Sequence, residues 1–451
     1  MSLSDRLGLN DSNQGAYPTT SSLRAISDAT QNEINHAKFR QLVSDELKAL
    51  VGQKLYSGTI EAAELEETVY RAIGNVLEIS DDALSTFDRA SLVQEIVDDI
   101  LGNGPIEQLL RDPEVTEIMV ARFDQIYVER RGKLTVTQLT FESEDHLRRA
   151  IDRIVGKVGR RIDESSPLVD ARLTDGSRVN AAVPPIALDG ANLTIRKFFK
   201  EPFTARDMLA TKTLPEKALE LLEACVRGRL NVVISGGTGS GKTTTLNVLS
   251  GFIPDDERIV TIEDSAELQL AKPHVIRLES RPANIEGSGL ITIRDLVRNS
   301  LRMRPDRIVV GEVRDGAAMD MLQAMNTGHD GSLTTVHANS PVDAVSRLET
   351  MGLMAGMDLP VSVIRDQISR AIDVIVQQAR LRDGSRKIVA ISQTVRGKNG
   401  ELELQDIYRF EYDEKSSNDE LGELRPTGVQ PHFLNRLADS GVSYSHEVKA
   451  K

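Results

Sequence analysis

A chain of 451 residues has room for about three domains of ordinary size. Its 55 Lys and Arg stand against 68 Asp and Glu, a net charge of −13, which disfavours a protein that coats nucleic acid or anionic lipid by bulk charge. With a single cysteine, Cys225, neither an intrachain disulfide nor a four-cysteine zinc site can form.

Residues 1–28 are polar and lack the basic end and apolar stretch of a secretory signal, so they are expected to be disordered. No window approaches eighteen consecutive apolar residues, so no membrane-spanning helix is predicted and a cytoplasmic location is expected. Over 29–103 apolar residues recur at helical spacing, as in Phe39, Leu42, Val43, Leu47 and Val69, Ala72, Ile73, Leu77. This predicts a helical bundle punctuated at Gly58, Ser80 and Asp81, with the acidic run Glu61 to Glu67 on a solvated face. Residues 104–200 read as a small α+β domain. Strands are expected from Val115 to Val128 with a turn at Arg131-Gly132, then a helix capped by Ser143, then strands from Leu168 to Phe199. A polar stretch, 201–212, is read as a linker.

From 213 to 412 the pattern changes to α/β. Thr213 with Glu216 reads as a capping box, and Ala218, Leu221, Leu222 and Cys225 share one face, so the thiol is expected to be buried and inert. Short aliphatic runs at Val232 to Ser235, Ile259 to Ile262, Val275 to Leu278, Ile308 to Val310 and Leu333 to Val336 then alternate with helical patterns. That alternation predicts a largely parallel, buried sheet. A hairpin about Asp383-Gly384 and a strand over Leu402 to Tyr412 follow, and the polar tail 413–451 is read as an extension.

The chemistry concentrates in the α/β part. Gly236-Gly237-Thr238-Gly239-Ser240-Gly241-Lys242-Thr243 matches the P-loop pattern at every fixed position, between a predicted strand and a predicted helix that continues through Thr244. In such a loop backbone amides converge on phosphate oxygens, so the residues from Gly236 to Thr244 are expected to bind the nucleotide; Lys242 bridges the terminal phosphates and Thr243 offers a magnesium ligand. The competing account is a Gly-rich turn that binds nothing. Hydrolysis also needs a carboxylate to orient water, and Glu312 and Glu263 each follow a predicted strand, where an α/β sheet places its ligands. Glu312 is the first choice, with a share in metal binding through water. Gly311 precedes it where an Asp is usual, which leaves Thr243, Glu312, Glu263 and Asp264 as the candidates around the metal.

His329 and His337 bracket a glycine-bearing turn and strand. Two histidines without cysteine partners make a poor zinc site, whereas an imidazole near a triphosphate can sense its terminal phosphate, the role assigned to His337; local hydrogen bonding is the alternative for both. Arginines outside the loop are needed to offset transition-state charge, an effect worth roughly 10³ to 10⁵ in rate. Arg178, Arg196 and Arg304 are the candidates, ahead of Arg172 and Arg314, and solvated or salt-bridging roles compete for each.

Taken together, Gly236 to Thr243, Ile262 to Leu268, Arg304 to Arg314 and Thr327 to Ser340 resemble, in order and spacing, the Walker A, Asp-box, Walker B and His-box elements of the type II/type IV secretion ATPase superfamily. Its Walker B segment commonly ends in Gly-Glu, which makes Gly311 familial. The resemblance covers about Gly104 to Gln393. It implies an α/β fold in which a RecA-like P-loop ATPase domain follows a small α+β, PAS-like domain and an N-terminal helical bundle. It also implies ATP and Mg²⁺ as cofactors, and a homohexamer at the cytoplasmic face of the inner membrane. Such a hexamer drives polytopic inner-membrane platform proteins and so, indirectly, moves pilin. The lack of a four-cysteine element points away from the type II secretion and type IV pilus assembly branch. Asp175 to Asn180, Ile195 to Lys197 and the helical region ahead of them look like the Tad/Flp pilus assembly ATPases of CpaF type, with conjugative secretion ATPases the near alternative. A nucleic-acid translocase and a nucleotide-gated scaffold compete as functions; the acidic balance weighs against the first, and no nucleic-acid partner is expected.

Overall fold

The structure is a computed structural model that describes residues 38–50, 62–79, 86–130, 132–198, 203–281, 283, 288–397, 401–412 and 422–444. The segment expected to be disordered and the breaks at Gly58, Ser80 and Asp81 lie outside these residues. Two compact units emerge. One runs to Lys197, apart from Arg131–Lys133, and the other holds that turn and everything from Phe198.

In the first unit, helical residues 38–50 and the helices Ala62–Ile79 and Thr86–Ile100 bury Phe39, Val43, Leu47, Val69, Ala72, Ile73, Leu92 and Ile96 in an aliphatic core. An antiparallel sheet follows: β1 (Val115–Arg122), β2 (Gln125–Arg130), β3 (Lys133–Val136), β4 (Leu168–Arg172), β5 (Arg178–Ala182) and β6 (Asn192–Arg196), in the order β3-β2-β1-β6-β5-β4. Helix Glu144–Gly156 covers one face, burying Leu147, Ile151 and Ile154 against Ile118, Val120, Val179, Leu193 and Ile195. Ser143 caps that helix as expected, its hydroxyl accepting from the His146 amide at 3.2 Å.

The second unit is built on nine strands: β7 (Val232–Gly236), β8 (Ile259–Glu263), β9 (Val275–Glu279), β10 (Arg307–Val310), β11 (Leu333–Val336), β12 (Val374–Arg380), β13 (Arg386–Arg396), β14 (Leu402–Tyr412) and β15 (Gly422–Pro426). Their order is β15-β14-β13-β12-β7-β11-β10-β8-β9. From β9 to β12 all neighbours run parallel, and β13 to β15 continue as an antiparallel meander. Period-2 geometry divides the strand residues between two cores. Val232 and Ile234 pack with helices Glu216–Arg227 and Lys242–Ser250, while Val233 packs with Val297, Leu322, Leu348 and Ile368 on the opposite face. Burial on both faces is why β7, β8, β10 and β11 read as unbroken aliphatic runs, whereas β9, expected to be buried with them, is the edge strand and is only partly covered.

Local details differ from the sequence reading. Thr213 and Glu216 form no capping box: Pro215 is the N-cap, the Thr213 hydroxyl meets that of Thr211 at 3.0 Å, and the Thr213 carbonyl accepts from Ile388 in β13. The capping box is instead Thr204 with Asp207, which starts helix Ala205–Ala210 inside the segment read as a linker. The polar tail adds β15 to the sheet, and Phe433 and Leu437, at helix Leu434–Asp439, join the core beside Val226 and Leu230. Cys225 is fully buried, and burial pushes its thiol pKa well up, so it stays protonated.

Candidate phosphate-binding site

The site starts where β7 ends. Val232, Val233 and Ile234 are anchored between the two cores, and the chain then turns through Gly237–Gly241 into helix Lys242–Ser250. The turn needs backbone that side chains rarely adopt: Gly241, the helix N-cap, has φ +96°. A glycine there supplies no side-chain cap, which leaves the positive end of the helix to an outside anion. Lys242 is buried, and its Nζ arches back to donate to the Gly237 carbonyl at 3.0 Å, alongside the Ser240 hydroxyl at 2.9 Å.

Three more strands end at the same edge. Val336 of β11 pairs with Ser235 of β7, Val310 of β10 with Thr334, and Val310 again with Ile262 of β8. His337 and Gly311-Glu312 therefore leave the parallel sheet, and Glu263 ends β8, at the edge where the Gly-rich loop leaves it, and the order β7-β11-β10-β8 sets His337 between the loop and Glu312. Electrostatics agree. Desolvation and then the Lys242 charge hold the His337 pKa below its ordinary range, with Glu312 pulling the other way, so the imidazole is neutral at pH 7.

Glu263 and Glu312 differ in environment. Glu263 is buried; its Oε1 accepts from the Glu267 and Leu268 amides at 2.8 and 3.0 Å, while Oε2 is buried with no hydrogen-bond partner among the described residues. Desolvation pushes its pKa up, and the two amide bonds offset part of that. Glu312 is half-buried and accepts from Arg314 at 3.2 Å, and Arg314 also reaches Asp264 at 3.3 Å. Arg314 thus clamps together the two acidic segments that follow β8 and β10. Sequence reasoning ranked it low, although its spacing two residues from Glu312 was the available signal.

The other candidates belong to other segments of the chain. Arg304, exposed with φ +55°, precedes β10 and so sits at the opposite end of that strand from Glu312. His329 precedes β11 in the same way and is separated from His337 by the whole strand. Arg178 and Arg196 belong to the first unit, directly opposite each other on β5 and β6, and Arg172 of β4 pairs with Arg178 in the same cross-strand row. Arg196 lies 3.6 Å from Glu117.

Among the described residues no group of three His, Cys, Asp or Glu forms a metal cage. Magnesium does not need one, since it takes one or two oxygen ligands from protein and the rest from phosphate and water. The orphaned Glu263 Oε2 and the Thr243 hydroxyl at the helix start are oxygen donors of that kind, so the residues fit the ion. Thr243 would hold it directly, and Glu263 or Glu312 through water.

A parallel sheet whose Gly-rich loop, lysine and carboxylates gather at one strand edge defines a P-loop protein of the α/β class. Comparison with known proteins makes this specific. The Type II/IV secretion system protein family matches residues 99–406, and the chain belongs to that family. It is 38% identical over 300 residues to a putative conjugal transfer protein of Mycobacterium tuberculosis, spanning 65% of this chain and 85% of the relative. It is 30% identical over 328 residues to the type IV secretion system protein VirB11 of Bartonella quintana, spanning 64% and 90%. Among solved structures, the VirB11 ATPase of the Brucella suis type IV secretion system, in complex with sulphate, is 30% identical and spans 64% of this chain and 94% of its own, with a TM-score of 0.35.

Proposed function

We propose that the chain hydrolyses ATP as the motor of a type IV secretion or pilus machine. The observation that carries this is the in-register exit of the Gly-rich loop, His337, Glu312 and Glu263 from four strands of one sheet. In this reading the residues from Gly236 to Thr244 hold the phosphates, Lys242 bridging the terminal pair. Bound magnesium supplies charge neutralisation at the phosphate oxygens. Glu312, oriented by Arg314, positions the attacking water. Glu263 braces the water and metal side, and neutral His337 donates or accepts at the terminal phosphate. Arg178 and Arg196 offset the charge that develops in phosphoryl transfer. The cross-strand row they share with Arg172 supports this, because it gathers three guanidinium groups side by side on one sheet, with Glu117 next in the row beyond Arg196. Arg304 has no place at its own chain's loop.

The wider assembly is proposed as a homohexamer at the cytoplasmic face of the inner membrane, working on polytopic platform proteins; no helix among the described residues is long and apolar enough to cross a membrane. Within the family the finer reading is a Tad/Flp-type pilus motor, supported by the helices before residue 99, which lie outside the matched region. A conjugative secretion ATPase is the second reading, favoured by the names of the relatives at 30–38% identity. The test is ATP turnover of the purified full chain, with its oligomeric state, in the presence and absence of DNA. Turnover by six-membered rings that ignores DNA is the expected result, and turnover that depends on DNA would favour a nucleic-acid translocase instead.

A further inference from the structure

The loop after β7 is held from one side by a hairpin that the P-loop pattern does not include. Arg386, the first residue of β13, donates from Nε to the Gly239 carbonyl at 3.0 Å, and its Cδ would lie 3.3 Å from a Cβ on Gly241. Gln378 of β12 is buried and accepts the Thr245 hydroxyl at 2.8 Å, and its backbone oxygen would lie 2.5 Å from a Cβ on Gly236. Arg380, directly opposite Arg386 across the hairpin, brings a guanidinium nitrogen to 3.7 Å from the Cβ position of Gly239. Two arginines facing each other repel, and that cost falls when an anion is beside them.

We propose that Arg386 is a positioning residue for nucleotide binding and acts through the Gly239-Ser240 peptide. A trans peptide points its carbonyl and its N–H in opposite directions. Fixing the Gly239 oxygen outward on Arg386 therefore turns the Ser240 N–H inward, where its present contact is the Gly237 carbonyl at 3.4 Å. A contact that long is readily exchanged for a phosphate oxygen. The hairpin thus pre-orients one amide of the cradle before nucleotide arrives, which saves ordering on binding rather than in the chemical step. Gln378 fixes the other end of the loop through Thr245. The inference rests on reading Gly236–Thr243 as a phosphate cradle.

The experiment is calorimetric binding of ADP and ATP to the full chain and its variants, with steady-state turnover alongside. Arg386→Met keeps the stem over Gly241 and removes the donor; it should weaken ADP and ATP equally, by about tenfold, the scale of one charge-assisted hydrogen bond. Turnover at saturating ATP should change less than about threefold, and Arg386→Lys, which keeps a cation in reach, should recover most of the affinity. Arg380→Met is the control for charge alone and should cost clearly less. Wild-type affinity in Arg386→Met, or equal losses in Arg386→Met and Arg380→Met, would overturn the inference while leaving the cradle intact. Failure of the unaltered chain to bind ADP would remove the cradle reading and this inference with it.

Discussion

The Cβ that Gly311 lacks would lie 3.0 Å from Cγ of Glu263, so the stem of Glu263 leans across the end of β10 into space that a side chain at 311 would take. Gly311 stands where a P-loop ATPase often carries an Asp, and the geometry gives a steric reason: Glu263, from the next strand, brings its carboxylate there instead. Glu263 has little freedom to retreat, because its Oε1 is pinned by two backbone amides. Gly311→Ala should therefore push the Glu263 stem aside by a few tenths of an ångström and lower ATP turnover by up to about tenfold, less than the hundredfold that a full 1 Å misplacement can cost, with nucleotide affinity nearly unchanged. Turnover and ADP affinity of the variant check this.

Glu263 should also trade stability for function. Burial raises its carboxyl pKa above the ordinary 4.5, so between that value and the folded one the native state holds a proton the unfolded chain has released. Its contribution to stability is present at low pH and is lost as pH rises through the window. Glu263→Gln removes the titration and keeps an acceptor for the two amides. The variant should melt above the parent at pH 7.5, and the gap should shrink as pH falls towards 4.5. Its turnover should drop about a hundredfold. Thermal melts across that pH range give the sign directly.

Arg314 holds Glu312 and Asp264 from one guanidinium. Both pairs are partly exposed, so their worth to stability is small, and the consequence of Arg314→Ala should appear in rate. The account expects kcat about tenfold lower with the melting temperature unchanged. A variant that loses stability but keeps kcat would make Arg314 a structural residue.

Much of this was readable in advance for a physical reason. Strands buried on both faces carry continuous aliphatic runs, so β7, β8, β10 and β11 announce themselves, and the loop between Ser235 and Lys242 is constrained residue by residue. What escaped depends on partners distant in sequence. Arg307 is fully buried and forms an ion pair with Glu257, fifty positions earlier, and neither residue signals the other. Asn231 donates to Asp373 and Ala371 and accepts from Gly331 and Ser332, joining the starts of β7, β11 and β12, yet it reads as one polar residue before a strand. Phe433 and Leu437 lie too sparsely in polar sequence to reveal that the tail enters the core.

The arginines of the first unit carry a separate prediction. Arg178→Ala and Arg196→Ala should each lose roughly 10³ in turnover while ADP affinity changes by less than about tenfold, because a group that meets only the developing charge acts on kcat. Equal loss of ADP affinity and turnover would place them in ground-state binding instead.

The most direct test of the central claim is single-turnover hydrolysis of ATP by the full chain and by Glu312→Gln, with ATP binding measured on the same samples. The account predicts equal ATP affinity for both proteins and hydrolysis slower by at least about a hundredfold in the variant. Unchanged hydrolysis in Glu312→Gln, or no ATP binding by the parent chain with magnesium present, would contradict it.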